Sequence, residues 1–161
     1  MKKNKGVTLI SLMVVVIILI IIAGITVYTG KDVLKKAQLE ELRTNMLMVQ
    51  AKAKGCVESA NFKMGINPTE EKKAEVRQEV YEGEAKLQKA EGTSVPTGIT
   101  ITNDMYKVTE ETLKEWGLEK LETNSKNTYL IKFDDTNATV EIYNTKGING
   151  KYSLTEIDAM E

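Results

Sequence analysis

The chain has 161 residues, a formal net charge of −1, one cysteine and no histidine. The missing histidine removes the commonest general base and transition-metal ligand, and a lone cysteine excludes both an intrachain disulfide and a cysteine-rich zinc site. The nearly balanced charge argues against a nucleic-acid-binding or anionic-membrane-binding head, more so because loss of Lys2, Lys3 and Lys5 with a cleaved leader would take it to −4 before the new amino terminus is counted.

From Gly6 to Gly30 the chain carries no charge over 25 residues. As a helix this stretch measures about 37 Å, more than a bilayer's hydrocarbon core. Three readings compete for residues 7–29. A secretory signal peptide has a shorter apolar stretch, and Ala23-Gly24-Ile25-Thr26 matches its cleavage site poorly. A signal anchor fits the length, but Lys2, Lys3 and Lys5 face Lys31, Lys35, Lys36 and Arg43 across the span, so flanking charge leaves its orientation undecided. The third reading rests on the residues around Gly6 and is taken up below. Gly24 beside Ala23 permits a local bend or close helix packing. Tyr28 suits the membrane–water boundary.

Residues 31–54 contain no proline. Leu39, Leu42, Met46, Val49, Ala53 and Cys56 recur at steps of three and four, with Lys35, Lys36, Glu40, Glu41 and Lys54 off that stripe. The stripe is expected to pack on a head of about 100 residues, enough for a small core; a dimeric coiled coil is the alternative. Cys56 reads as a small buried apolar residue, with a reactive thiol as its rival. Residues 7 to about 60 thus form one long helix, loosened at Gly55 and broken at Gly65-Ile66-Asn67-Pro68. A second helix is expected from Asn67 as N-cap, with Pro68 at its first position, Glu70 completing a capping box and Gly92 as its stop. Val76, Val80 and Leu87 give it a narrow apolar stripe, and its Glu and Lys residues a solvated face.

Residues 93–102 read as a loop and a short strand. Thr109–Trp116 reads as a short helix capped by Thr109, stapled by Val108 and Leu113 and ended by Gly117, with Trp116 anchoring the core. Residues 128–133 and 138–143 alternate as a β-hairpin about Asp134-Asp135-Thr136-Asn137, and Tyr152–Leu154 reads as an edge strand after the Gly147–Gly150 loop. The expected class is α+β, a long N-terminal helix packed on a small antiparallel sheet. Asp134, Asp135 and Asn137 are the only cluster resembling a hard-cation site, and calcium wants about six to eight oxygens, so a plain turn is expected there. Asn137-Ala138-Thr139 matches the short glycosylation pattern. With no phosphate-binding glycine loop, nucleophile elbow or paired catalytic acid, neither enzyme activity nor a cofactor is expected.

Lys5-Gly6-Val7-Thr8-Leu9-Ile10, at the extreme N-terminus and leading into a membrane-length helix, resembles the leader and mature start of type IV pilins and type II secretion pseudopilins. The resemblance implies a pilin-like fold and a cut between Gly6 and Val7, followed by methylation of the new amino terminus. The implied division is a leader (1–6), a transmembrane and filament-core helix (7–29), its amphipathic continuation (30–64) and a globular head (65–161). Some pseudopilins bind calcium in their sheet loops. Most of the family carries glutamate where this chain has Ser11; serine is either tolerated there or marks an atypical, tip-type subunit. Many pilins also carry a proline later in this helix, which is missing here. Implied partners are a prepilin peptidase, other pilin subunits, an assembly-platform membrane protein and a cytoplasmic assembly ATPase. The implied location is a single-pass membrane protein with its head outside, then an extracellular filament, and the Ile/Lys/Asn-rich usage points to a Gram-positive source. The rival is a membrane-anchored binding or sensor module that never polymerises.

Overall fold

A computed structural model describes residues 5–160, with the side chains of residues 15–20 and 33–160. The chain divides into two packing units, residues 1–40 and 41–161. Helix α1 runs Lys5–Met64. Among the described residues no helix is long and apolar enough to cross a membrane. The expected span 7–29 lies largely outside the described side chains; the six described ones, Val15 to Ile20, are all apolar and 46–66% exposed.

In the second unit the expected stripe is buried at Met46, Val49 and Ala53 and continues through Val57, Ala60 and Met64. Each large side chain buried this way contributes about 1.5–3 kcal/mol. Cys56 departs from expectation: it is half-buried, because it sits at the stripe's margin. Gly65 ends α1 with a left-handed φ of 73° and a bond from its N–H to the Asn61 carbonyl (3.2 Å), a conformation that favours glycine.

The second helix does not start at Asn67. Asn67 has a φ of 54°, whereas an N-cap needs extended backbone. Thr69 has it, and its side chain accepts the Lys72 N–H at the head of α2 (Glu70–Arg77). Nor does the helix reach Gly92. It passes into a π-helix at Gln78–Glu84, where the Ala85 N–H bonds the Val80 carbonyl five residues back. This wider turn buries the neighbours Val80 and Tyr81 together. Leu87 is buried beyond the helix end.

Five strands form an antiparallel sheet in the order β1-β2-β3-β4-β5: Gln88–Lys89, Met105–Lys107, Tyr129–Asp134, Thr139–Ile148 and Lys151–Ser153. The hairpin stands where alternation placed it, but its second strand runs on through Ile148 into the expected glycine loop, and the edge strand is Lys151–Ser153, with Leu154 in the helix that follows. No strand forms at 93–102. Those residues make a loop whose Ile99 and Ile101 pack with Ala90, Met105 and Leu130, so the Ile-Thr-Ile-Thr alternation served loop packing instead. Strand β2 lies just beyond it. The other sheet face, carrying Tyr129, Ile131, Phe133, Val140, Ile142 and Asn144, is also buried, and Tyr129 hydrogen-bonds Asn45 of α1.

Helix α3 (Glu110–Glu115) has Thr109 as N-cap, with Thr112 completing the capping box. Gly117, at φ 67°, closes it: its N–H bonds the Lys114 carbonyl and the Leu118 N–H bonds that of Leu113. Val108, Leu113 and Trp116 are buried, as expected.

A last helix, α4 (Leu154–Asp158), opens at Leu154, the residue expected to end the edge strand. Ser153 caps it, and Glu156 returns its carboxylate to the N–H groups of Tyr152 and Ser153. Ser153→Ala is expected to cost about 1 kcal/mol, read as a lower urea midpoint. Those two backbone donors hold the Glu156 carboxyl below its usual range. Its stabilising effect is therefore present above the ordinary carboxylate range and is lost as pH falls through the lowered value. The urea midpoints of wild type and Glu156→Gln should differ at neutral pH and converge in acid.

Candidate functional site

The sequence places a processing motif at the start of α1. The backbone is helical from Lys5 onward, so the Gly6–Val7 bond lies in the first turn. The side chains of Lys5, Val7, Thr8, Leu9, Ile10 and Ser11 lie outside the described residues.

Of the three residues that resembled cation ligands, the hairpin turn keeps Asp134 and Asn137 together and sends Asp135 elsewhere. Asp134 curls onto its own turn, accepting the N–H groups of Thr136 (3.0 Å) and Asn137 (3.1 Å) and the Asn137 side-chain amide (2.7 Å). The Asn137 amide, then its backbone N–H, hold the Asp134 carboxyl below its usual range. Asp135 turns inward instead, its side chain only 7% exposed. It accepts Arg77 Nε and the Tyr81 hydroxyl, each at 2.5 Å. The two aspartates thus spend their carboxylates on protein donors, and among the described residues no group of three or more His, Cys, Asp or Glu is placed to hold a metal ion.

Asp135 belongs to a latch between the π-helix and the sheet. Tyr81 stacks on Phe133 with centroids 4.0 Å apart, and Tyr106 meets both rings edge-on. Burial, and then the Asp135 carboxylate, push the Tyr81 hydroxyl's pKa up, so it stays a proton donor. Lys89 lies 4.1 Å from the Tyr106 ring centroid and donates to its hydroxyl. The rings bury one another, which makes this a structural joint.

A second feature escaped the sequence reading. Between Arg43 and Met64, α1 has an apolar line on the side away from the buried stripe. Met48 and Phe62 are 37% and 90% exposed, with exposed Ala51 and Gly55 between them. At about 100° per residue, Met48, Gly55 and Phe62 fall within about 40° of one another and roughly opposite Ala53. The seven-residue spacing of these three is its signal in the sequence, weaker than that of the buried stripe. Beside this line Cys56 opens onto a recess of about 290 Å³. Burial, and then Glu84, push its thiol's pKa up to about 11, so it is a poor nucleophile at neutral pH.

Residues 1–27 match the family model of the prokaryotic N-terminal methylation motif. No curated protein and no solved structure matches the chain.

Proposed function

From the type IV pilin-like prepilin N-terminus that residues 1–27 form, we propose that this protein is a structural subunit of a type IV pilus, competence pilus or type II secretion pseudopilus. The observation that carries the reading is the methylation motif itself; the α+β architecture with its long first helix is consistent with it. A prepilin peptidase hydrolyses the Gly6–Val7 bond, consuming one water and releasing residues 1–6. A sulfonium-type methyl donor then passes its methyl group to the new Val7 amine, leaving as a thioether while the displaced proton goes to solvent. The leader holds Lys2, Lys3 and Lys5, so cleavage leaves one charged amine on the apolar helix end in place of a strongly cationic leader. That end leaves lipid and enters a bundle of like helices at much lower desolvation cost. Repeated heterologous contacts extend the bundle into a filament outside the cell. The assembly-platform protein and cytoplasmic ATPase act in extraction, and the subunit itself performs no catalysis, in keeping with a chain that has no histidine.

Mass spectrometry of the protein purified from its own cells tests this. The expected product begins at Val7 and is one methyl group heavier than the bare sequence. A chain retaining Met1, or beginning elsewhere than Val7, overturns the proposal in favour of a plain membrane anchor.

A further inference from the structure

Beside the latch the head has a cavity of about 160 Å³, reached by Arg77 from the second helix, Lys89 from β1 and Asp104 from the turn ahead of β2. Tyr106 and Phe133 supply its apolar lining. The charged groups around it have hydrogen bonds left to make. Among the described residues Arg77 bonds Asp135 through Nε alone, which leaves four of a guanidinium's five protons. Lys89 donates to the Tyr106 hydroxyl (2.7 Å) and to the Asn103 carbonyl (3.3 Å). Both acceptors are neutral, and among the described residues no acid stands within ion-pair reach of this ammonium. The Tyr106 hydroxyl accepts that bond and keeps its own proton to give. Asp104 is half-buried, and its carboxylate has no hydrogen bond or ion pair among the described residues. Asp135 is already occupied, with one oxygen on Tyr81 and the other on Arg77.

We propose that this cavity binds a small free α-amino acid as its zwitterion. The ligand's carboxylate takes the open Arg77 and Lys89 protons, and its ammonium takes the Asp104 carboxylate. Its side chain rests on Tyr106 and Phe133. Each of these polar contacts is charge-assisted, and the buried rings keep water from one side of them. A plain anion satisfies the two cations but leaves Asp104 facing it, and a plain cation meets Arg77 and Lys89. Only a ligand carrying both charges close together answers all three groups. Size narrows the class further. The cavity is well below the roughly 300–1,000 Å³ that drug-sized ligands occupy, which suits glycine or alanine and excludes aromatic amino acids. The inference goes beyond the filament reading and does not depend on it, because every residue involved belongs to the head.

Isothermal titration calorimetry of the full-length chain in detergent, with glycine and L-alanine as probes, tests the site. Expected is saturable binding at one site per chain, with a Kd below about 1 mM. N-acetyl-L-alanine keeps the carboxylate and lacks the ammonium; L-alanine amide does the reverse. Each should bind at least about tenfold more weakly than L-alanine. Asp104→Asn should weaken L-alanine by about tenfold or more, yet leave N-acetyl-L-alanine no weaker. It should also leave the melting temperature of the unliganded chain unchanged, because the Asp104 carboxylate has no partner there to lose. Absence of saturable binding by either amino acid below about 10 mM overturns the proposal. Equal affinity for N-acetyl-L-alanine overturns it in favour of a peptide carboxyl terminus. Unchanged L-alanine binding by Asp104→Asn overturns the assignment to this cavity. None of these results touches the start at Val7, so the filament reading stands or falls separately.

Discussion

Gly6→Val is expected to leave essentially all of the protein at full length in the membrane, with residues 1–6 retained and no methylated Val7. Glycine at the cut lets a protease approach the backbone with no side chain in the way, and a β-branched residue puts two methyl groups there. Gly6→Ala, with one methyl, should slow processing less. The consequence reaches beyond the cut. A retained leader keeps Lys2, Lys3 and Lys5 at the end of the apolar helix. Carrying ammonium groups into a bundle of apolar helices costs several kcal/mol each unless they are paired. The uncut chain should therefore be absent from filaments as well as longer by six residues. Immunoblotting of membrane and filament fractions, with mass spectrometry of the N-terminus, reads both effects. Normal processing of Gly6→Val would count against Gly6 as the site.

Asp135→Ala is expected to be the most damaging single change in the hairpin turn. It removes the acceptor for both Arg77 and the fully buried Tyr81. A buried hydroxyl left without a partner costs about 1–3 kcal/mol. Arg77 adds less, because its side chain is 39% exposed and regains water. The combined loss should be about 2–4 kcal/mol, a fall in melting temperature of roughly 10 °C for a head of this size. Asp135→Asn keeps an oxygen for Tyr81 and should lose about half as much. Asp134→Ala, one residue away, breaks only the turn's own exposed bonds and should have a much smaller effect. Thermal unfolding of the full-length chain in detergent checks all three. Equal losses at Asp134 and Asp135 would mean that the latch does not hold the π-helix to the sheet.

The contrast between these two aspartates shows what local sequence conceals. Asp134 and Asp135 look alike in a turn rich in Asp and Asn. One is spent on the turn and the other on side chains 54 and 58 residues earlier in the chain. Capping was more legible. Thr109 with Gly117 bounded α3 because both ends are made by residues a few positions apart. The same local logic was available at Ser153-x-x-Glu156, yet α4 is so short that its capping box was the only signal. At Asn67 and Thr69 two capping residue types stood close together, and backbone angle decided between them: Asn67 adopts the left-handed turn and Thr69 the extended cap.

By itself the sequence determined the prepilin-type start, the long first helix with its packing stripe, the α3 caps and the β3–β4 hairpin. Each is written in near neighbours: a short motif, a period of 3.6 or 2, or a cap and its partner three residues on. Only the tertiary structure decided that the second helix widens into a π-turn, that residues 93–102 plug the sheet as a loop, and that β1 and β2 join it. Those outcomes depend on how apolar side chains far apart in the chain share one interior. It was likewise the fold that left Phe62 bare and opened a recess beside Gly55. Exposure is set by what the rest of the chain fails to cover; the seven-residue spacing marks the line along the helix but does not say that it stays uncovered.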